Sequence, residues 1–203
     1  MTVEPIKKQE DIDKMFLYLK QKNPRDAILF LIGISSGFRI SDLVEFKAGD
    51  FKALLIKDVK ERKTGNIRKL YINEDVLKNY IEPYIENYDD DEYLFQSRNG
   101  YNQHISVSQA YNIVKDAAKK TKIKVRVGTH TMRKTFGYRL YEQTNHNQAL
   151  VCKCFGHSDP SITMRYIGLD EEAKKEAIEN LTLGVTQNMN NFENPYRKKQ
   201  NGK

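Results

Sequence analysis

The first part of the chain carries apolar residues with helical spacing. Ile12, Met15, Phe16 and Leu19 recur at positions i, i+3, i+4 and i+7. In a helix of 3.6 residues per turn these four side chains lie on one face. The pattern therefore predicts an amphipathic helix over about residues 9–22.

The next segment is apolar on almost every side. Pro24 suits the first position of a helix, where its missing N–H costs no hydrogen bond. The stretch that follows it, RDAILFLIGIS, has few polar positions, so we expect this helix at the centre of the core. Gly37 is predicted to end it, because glycine adopts the left-handed conformation of a helix C-cap. A short third helix is predicted over residues 40–46.

The periodicity then changes to that of extended chain. Short strands are predicted over residues 54–56, 59–62 and 67–72, from their β-branched and apolar residues. Thr64-Gly65-Asn66 is a turn signal between the last two, so those two strands are expected to form a hairpin. The sheet is therefore predicted to be small, antiparallel and three-stranded.

The remaining pattern is mostly helical. Pro83 is expected to bend or divide the first of these helices. The predicted helices cover residues 75–88, 107–118, 129–142, 148–155 and 170–181. The polar sequence after them is predicted to be disordered on its own. The fold class is thus α+β and mainly helical, with one domain over residues 1–182 and a polar tail over residues 183–203.

Composition excludes several classes of protein. Apolar residues make up 39% of the 203 residues, and no run approaches the roughly 18 that a membrane-spanning helix needs. The N-terminus has no apolar segment of the kind found in secretory signals. Cys152 and Cys154 are too close in sequence for an unstrained disulfide, so a reducing cytoplasm is expected. With His157 they spell C-x-C-x-x-H, but a fourth zinc ligand is not evident, and no metal site is predicted.

Positive charge is concentrated in one segment. The chain has a formal net charge of +7, and residues 115–139 hold nine basic residues against one acidic residue. Such a concentration predicts a polyanionic partner, although a lysine-rich face can also serve solubility alone. The candidate DNA-binding residues are Lys115, Lys119, Lys120, Lys122, Lys124, Arg126 and Lys134.

The candidate chemistry lies in polar residues at the ends of apolar helices. The sequence has no phosphate-binding glycine loop, dinucleotide fingerprint or zinc-protease motif. Taken singly, each candidate has an ordinary explanation, such as an ion pair for an arginine or a core position for a tyrosine. The candidates are Arg39 in GFRISDL, Lys63 in the hairpin turn, His130 and Arg133 in HTMR, and His157 and Tyr166 in GHSDPSITMRY.

In this order and spacing, the motifs resemble the catalytic signature of the tyrosine recombinases, the phage integrase family. The resemblance covers about residues 8–181 and implies that family's catalytic-domain fold. It also implies an enzyme in which the Tyr166 hydroxyl attacks a DNA phosphodiester, giving a 3′-phosphotyrosine and a free 5′-hydroxyl. The expected function is therefore site-specific recombination, in which DNA strands are cleaved and rejoined.

The resemblance also assigns roles to the other candidates. Arg39 and Arg133 match the two arginines that hold the scissile phosphate, for which a bidentate guanidinium is suited. Lys63 matches the hairpin lysine, the general acid for the leaving 5′-oxygen. His130 and His157 match residues that hydrogen-bond the phosphate or handle protons. Asp42 matches an acidic residue that supports the first arginine.

The expected partner is double-stranded DNA, with no cofactor, metal, membrane or small-molecule substrate. By resemblance, the free chain is expected to be a monomer and to form tetramers on DNA, with residues 170–181 and the tail as candidates for exchange between neighbours. Most family members carry a further N-terminal domain that closes over DNA, whereas only about 38 residues precede Arg39. We therefore expect weak, salt-sensitive DNA binding.

Two alternatives use the same residues. A type IB topoisomerase-like nicking and closing enzyme would perform the same chemistry without exchanging partners. A catalytically inactive DNA-binding remnant, or partner, of a mobile-element integrase would bind without cleavage. The chain length and the G-H-x₈-Y spacing favour a recombinase, and the occupation of every catalytic position favours an active enzyme.

Overall fold

The two N-terminal helices form where the apolar spacing predicts them. The computed structural model describes residues 3–52, 56–63, 65–156 and 163 of the chain. Helix α1 spans Gln9–Lys22 and α2 spans Pro24–Ser36. The Asn23 side chain accepts the N–H of Arg25 and so caps α2, and Gly37 ends this helix with φ of 63°.

Helix α2 lies at the centre of the core, as its apolar sequence predicts. It packs against α1 on one side and against α7 (Thr131–Gln143) on another. The contact with α7 is close at Gly33, where a Cβ atom would lie 2.5 Å from the sulfur of Met132. The short helix α3, Ile40–Leu43, follows α2 after a three-residue connection and is shorter than the predicted 40–46.

The hairpin is present, but its strands differ from the prediction. Strands β1 (Ile56–Lys60) and β2 (Ile67–Tyr71) are antiparallel, with Ile56 opposite Tyr71 and Lys60 opposite Ile67. Within the described residues the sheet therefore has two strands, not the predicted three. Residues 56, 59 and 60 of the segments predicted separately as 54–56 and 59–62 belong to one strand, residues 61–62 follow its end, and residues 53–55 lie outside the described range.

The helix predicted over residues 75–88 is divided. It consists of α4 (Glu74–Val76), a π-helical turn (Leu77–Ile81) and α5 (Glu82–Ile85). Pro83 has no N–H to donate to the preceding turn, and a proline commonly causes this kind of local rearrangement. Asn73 caps α4 by accepting backbone N–H groups.

Three helices complete the described chain. Helix α6 spans Val107–Lys120 and begins with a reciprocal capping box between Ser106 and Gln109. Helix α7 follows directly after His130, and α8 spans Gln148–Phe155, as predicted. None of the helices described is long and apolar enough to cross a membrane.

The N-terminal segment is tied into this core. The Glu4 N–H donates to the carbonyl of Arg126, and the Ile6 N–H donates to the Thr135 hydroxyl. Ile6 is fully buried. The predicted helix over 170–181, the boundary at residue 182 and the predicted disordered tail lie outside the described residues.

Candidate active site

Arg39 lies where the chain leaves the central helix. Gly37 turns the backbone at the end of α2, and Arg39 then immediately precedes α3. Its Nη1 atom lies 2.6 Å from Oε2 of Glu61, and its side chain keeps 18% of its surface exposed. Arg39 is therefore ion-paired through a buried Nη1 atom, while part of its side chain stays exposed.

Arg133 reaches the same region from the first turn of α7. Its Nη1 donates to the carbonyl of Gly37 at 2.6 Å, and its Nη2 donates to the carbonyl of Phe155 at 3.3 Å. The guanidinium carbon lies 4.6 Å from the centre of the Phe155 ring. These contacts fix an arginine that is only 1% exposed.

Arg68 on β2 is a third arginine at this site. It donates to the carbonyls of Ser36 at 2.8 Å and Gly37 at 3.2 Å, and its guanidinium stacks 4.2 Å from the centre of the Phe38 ring. Burial lowers the pKa of Arg68, and the nearby Glu61 carboxylate opposes that shift. Since the ordinary pKa of arginine lies far above neutrality, the side chain stays charged.

Glu61 is the carboxylate on which the three arginines converge. Its carboxylate oxygens lie 2.6 Å from Nη1 of Arg39, 3.8 Å from Nη1 of Arg68 and 4.0 Å from Nη1 of Arg133. Glu61 is 4% exposed and stands at the base of the hairpin loop, just after β1. Even with the nearby buried carboxylate of Asp42 counted, three arginines against two carboxylates leave an excess of positive charge, which favours a phosphate.

The acidic partner of Arg39 differs from the one expected. Asp42 was expected to support Arg39, but its buried carboxylate accepts the backbone N–H of Arg62 at 3.2 Å. Glu61 takes the expected position instead. The alternation of side chains along β1 is compatible with the burial of Glu61. Successive side chains of a strand point to opposite faces, so Glu61 falls on the same face as the half-buried Val59, whereas Asp58 and Lys60 fall on the exposed face.

His130 and Lys63 complete the described part of the site. His130 is half-buried immediately before α7. Its pKa is lowered from 6.5, first by burial and then by the positive charges of Arg133, Arg39, Lys134 and Lys63. Lys63, exposed in the hairpin turn, is thus close enough to act on the imidazole electrostatically. A lowered pKa keeps His130 neutral at pH 7.

The structure therefore brings together four of the six predicted catalytic residues. Arg39 and Arg133 lie beside Glu61, and His130 lies close enough to both arginines and to Lys63 for their charges to lower its pKa. His157 and Tyr166 lie outside the described residues. Cys154, for which the sequence predicts no zinc site, is a half-buried free thiol whose pKa is raised by burial.

The predicted DNA-binding residues fall into two groups. Six are exposed: Lys115, Lys119, Lys120, Lys122, Lys124 and Arg126. Lys134 differs, because it is 8% exposed and has its pKa lowered by burial, with the carboxylate of Glu4 opposing the shift. Lys134 is thus placed within the fold, a position less suited than the other six to the direct contact with DNA that the sequence predicts.

The chain matches one protein family over most of its length. The model of the phage integrase family matches residues 7–173. The probable integrase/recombinase YoeC of Bacillus subtilis is 41% identical over 175 residues, which is 86% of this chain and 94% of that protein. The tyrosine recombinase XerA of Pyrococcus furiosus is 28% identical over 182 residues, which is 86% of this chain but 61% of that protein.

Solved structures share the fold. The crystal structure of a XerA recombinase aligns with a TM-score of 0.68 at 19% identity, over 88% of this chain and 65% of that chain. The catalytic domain of bacteriophage HP1 integrase aligns with a TM-score of 0.58 at 17% identity, over 92% of this chain and 99% of that one. The described chain therefore has a fold similar to that of the HP1 catalytic domain.

Proposed function

The chain belongs to the phage integrase family and is a tyrosine recombinase, and we propose that it cleaves and rejoins DNA strands at specific sites through a 3′-phosphotyrosine formed on Tyr166. The observation that carries this proposal is the convergence of Arg39, Lys63, His130 and Arg133 from distant parts of the chain. A surface suited only to binding DNA would not need a half-buried histidine among these cations.

The proposed reaction is a transesterification. The Tyr166 oxygen attacks phosphorus, the bond from phosphorus to the tyrosine oxygen forms, and the bond to the 5′-oxygen breaks. Lys63 gives a proton to that leaving oxygen, and the phenol proton passes to a neutral imidazole, a role that the lowered pKa of His130 suits. Attack by a 5′-hydroxyl on the phosphotyrosine reverses these steps, so no external energy source is required.

The arginines stabilise the negative charge that develops on the phosphate oxygens. Removal of one such preorganised donor from an enzyme typically costs about 100- to 1,000-fold in rate. Arg39 is 18% exposed, whereas Arg133 is 1% exposed. We therefore propose that Arg39 meets the phosphate first and that Arg133 becomes accessible as DNA docks.

The proposed partner is double-stranded DNA. The six exposed cations of residues 115–126 support this role, since each phosphate that a protein neutralises releases counterions. Two structures of similar fold are DNA complexes, XerH bound to a difH substrate and a λ integrase dimer bound to a core site. We propose a cytoplasmic protein that is a monomer when free and a tetramer on DNA, with no cofactor.

The proposal is tested by trapping the covalent intermediate. A pool of nicked duplexes with randomised sequence is incubated with the full chain, and the strands that become linked to protein are captured and sequenced. The short cleaved strand diffuses away from the nick, so the adduct accumulates. An adduct that persists in EDTA, disappears in Tyr166→Phe and remains in Tyr101→Phe supports the proposal. Tyr101 is a suitable control because it is 94% exposed and lies in a loop that is far from Tyr166 along the chain.

The two alternatives give different results. An inactive DNA-binding protein would retard duplexes in a gel without forming any adduct. A nicking and closing enzyme would form the adduct and relax a supercoiled plasmid, but would not exchange strands between two captured sites. Recombinant joints in the two-site assay support the recombinase.

A further inference from the structure

Glu61 orients Arg39 more strongly than it orients Arg68 or Arg133. Arg68 and Arg133 are each held by backbone carbonyl groups and by an aromatic ring. Among the described residues, Arg39 has one direct polar contact, the pair at 2.6 Å with Glu61. Without that carboxylate, the long and partly exposed side chain of Arg39 would be free to turn towards solvent.

Glu61 is itself fixed by its backbone. Its N–H donates to the carbonyl of Asn66 at 2.9 Å, and its own carbonyl accepts the N–H of Gly65 at 2.8 Å. These bonds close the base of the hairpin loop that carries Lys63. Its side chain is 5% exposed, so the carboxylate is enclosed by the protein and has little room to move.

The charges at the site also require an anion. Three guanidinium groups gathered in a largely buried space repel one another, and the Glu61 carboxylate, with Asp42 nearby, reduces that repulsion. It does not cancel the positive charge, so a phosphate is still attracted. A neutral amide in place of Glu61 would have almost the same shape but would hold Arg39 less firmly.

We propose that Glu61 is a positioning residue for the cleavage reaction, one that aims the Arg39 guanidinium at the scissile phosphate. The proposal rests on the function proposed above and goes beyond it, because Glu61 does not touch DNA and acts through Arg39. Under this proposal, cleavage requires a buried acidic residue of the hairpin, although that residue lowers the positive charge that attracts DNA.

The test is a double-mutant cycle on a duplex enriched by the covalent capture. We expect Glu61→Gln to slow single-turnover adduct formation by about 10- to 100-fold without weakening DNA binding, since a negative charge is removed. In an Arg39→Ala background, Glu61→Gln should change the rate less than about 3-fold, because the residue through which it acts is gone. Glu61→Asp, which keeps the charge, should recover part of the rate.

Asp58→Asn is the matched control. It removes one negative charge from the same hairpin, but Asp58 is exposed and lies 3.5 Å from the exposed Lys69. We expect its adduct rate to equal that of the wild type. Equal slowing by Asp58→Asn and Glu61→Gln would overturn the proposal. It would also be overturned if the fold-decrease in rate of the double mutant equalled the product of the fold-decreases of Glu61→Gln and Arg39→Ala.

A second substrate separates Arg39 from Lys63. Sulfur in place of the bridging 5′-oxygen gives a thiolate leaving group, which departs without a proton from a general acid. We expect this substrate to restore cleavage by Lys63→Ala but not by Glu61→Gln. Restoration of both variants to the same extent would show that Glu61 acts through the lysine and would contradict the role assigned to it.

A measurement on the DNA-free protein keeps the proposal independent of activity. Rotation of the Arg39 guanidinium about its Nε–Cζ bond, followed by NMR of labelled arginine, should be slow in the wild type and in Asp58→Asn and faster in Glu61→Gln. Unchanged rotation in a folded Glu61→Gln protein would overturn the positioning role. If the wild type forms no adduct on any duplex, the proposed function fails, and this measurement still decides whether Glu61 orients Arg39.

Discussion

The Nη1 group of Arg133 donates to the backbone carbonyl of Gly37 at 2.6 Å, which joins the first turn of α7 to the residue that ends α2. Gly37 precedes Arg39 by two positions. The placement of one candidate phosphate-binding arginine relative to the other is therefore set through the main chain. Variants at this junction should affect both the stability of the fold and the proposed chemistry.

Replacement of Gly37 should be costly for two reasons. Its φ of 63° is unfavourable for other residues, and a Cβ atom would lie 2.2 Å from Cδ1 of Phe136. We expect Gly37→Ala to lower the free energy of unfolding by about 3 kcal/mol, as measured by urea denaturation. Gly65→Ala is the control, because Gly65 has φ of 70° but open space around it, and should cost about 1 kcal/mol. Equal losses would contradict a role for the contact with Phe136.

We expect that a lysine at position 133 cannot perform the role of Arg133. Its single ammonium group cannot reproduce the guanidinium contacts with the carbonyls of Gly37 and Phe155. We expect Arg133→Lys to slow adduct formation by about 100-fold or more and to destabilise the protein by about 1–3 kcal/mol. Arg62→Lys serves as the control, since Arg62 is 60% exposed in its pair with Glu45 and should change stability by less than about 0.5 kcal/mol.

His130 should make stability depend on pH. Its folded-state pKa is lowered by burial and by the neighbouring cations, so the unfolded chain binds a proton more readily than the folded one. This contribution is fully present above the unfolded pKa of about 6.5 and is lost as pH falls through the folded pKa. Urea unfolding between about pH 8 and pH 5 should therefore show a steeper loss in the wild type than in His130→Gln. Parallel curves would contradict the lowered pKa.

Lys120 and Lys134 should respond differently to substitution by glutamine. Lys120 is exposed at the end of α6, so Lys120→Gln should reduce the slope of log affinity for DNA against log salt by about 1. Lys134 is buried near Glu4, so Lys134→Gln should destabilise the fold by about 1 kcal/mol and leave that slope unchanged. A reduced slope for Lys134→Gln would instead place this residue against DNA.

The helices were predictable because their signals are local. Asn23 and Pro24 mark the start of α2, and Gly37 marks its end, within a few residues of the bonds they form. The π-helical turn before Pro83 was anticipated only as a bend or division, since the exact hydrogen-bond shift depends on packing. The strand boundaries were less certain because a short apolar run fits a strand in more than one register.

The site was only partly predictable, for a different reason. The motif order indicated Arg39, Lys63, His130 and Arg133, and the structure brings these together. The role of Glu61 depends on contacts with residues 22 and 72 positions away in the chain, so its immediate sequence indicates at most which side of the hairpin it faces and not which arginines it meets. Asp42 is nearer than Glu61 to Arg39 in the sequence, but Arg39 pairs with Glu61, so sequence separation does not decide which carboxylate an arginine meets.

The carbonyl groups of Ser36 and Gly37 at the end of α2 are satisfied by arginines instead of water. Loss of Arg68 would leave the Ser36 carbonyl without its arginine partner, and loss of Arg133 would remove the shorter of the two bonds to Gly37 and the bond to the Phe155 carbonyl. A descendant that had stopped cutting DNA would therefore still be under selection to keep both arginines for the sake of folding. Retention of these two side chains in a related gene is thus weak evidence for catalysis, and the tyrosine and the hairpin lysine are better indicators of it.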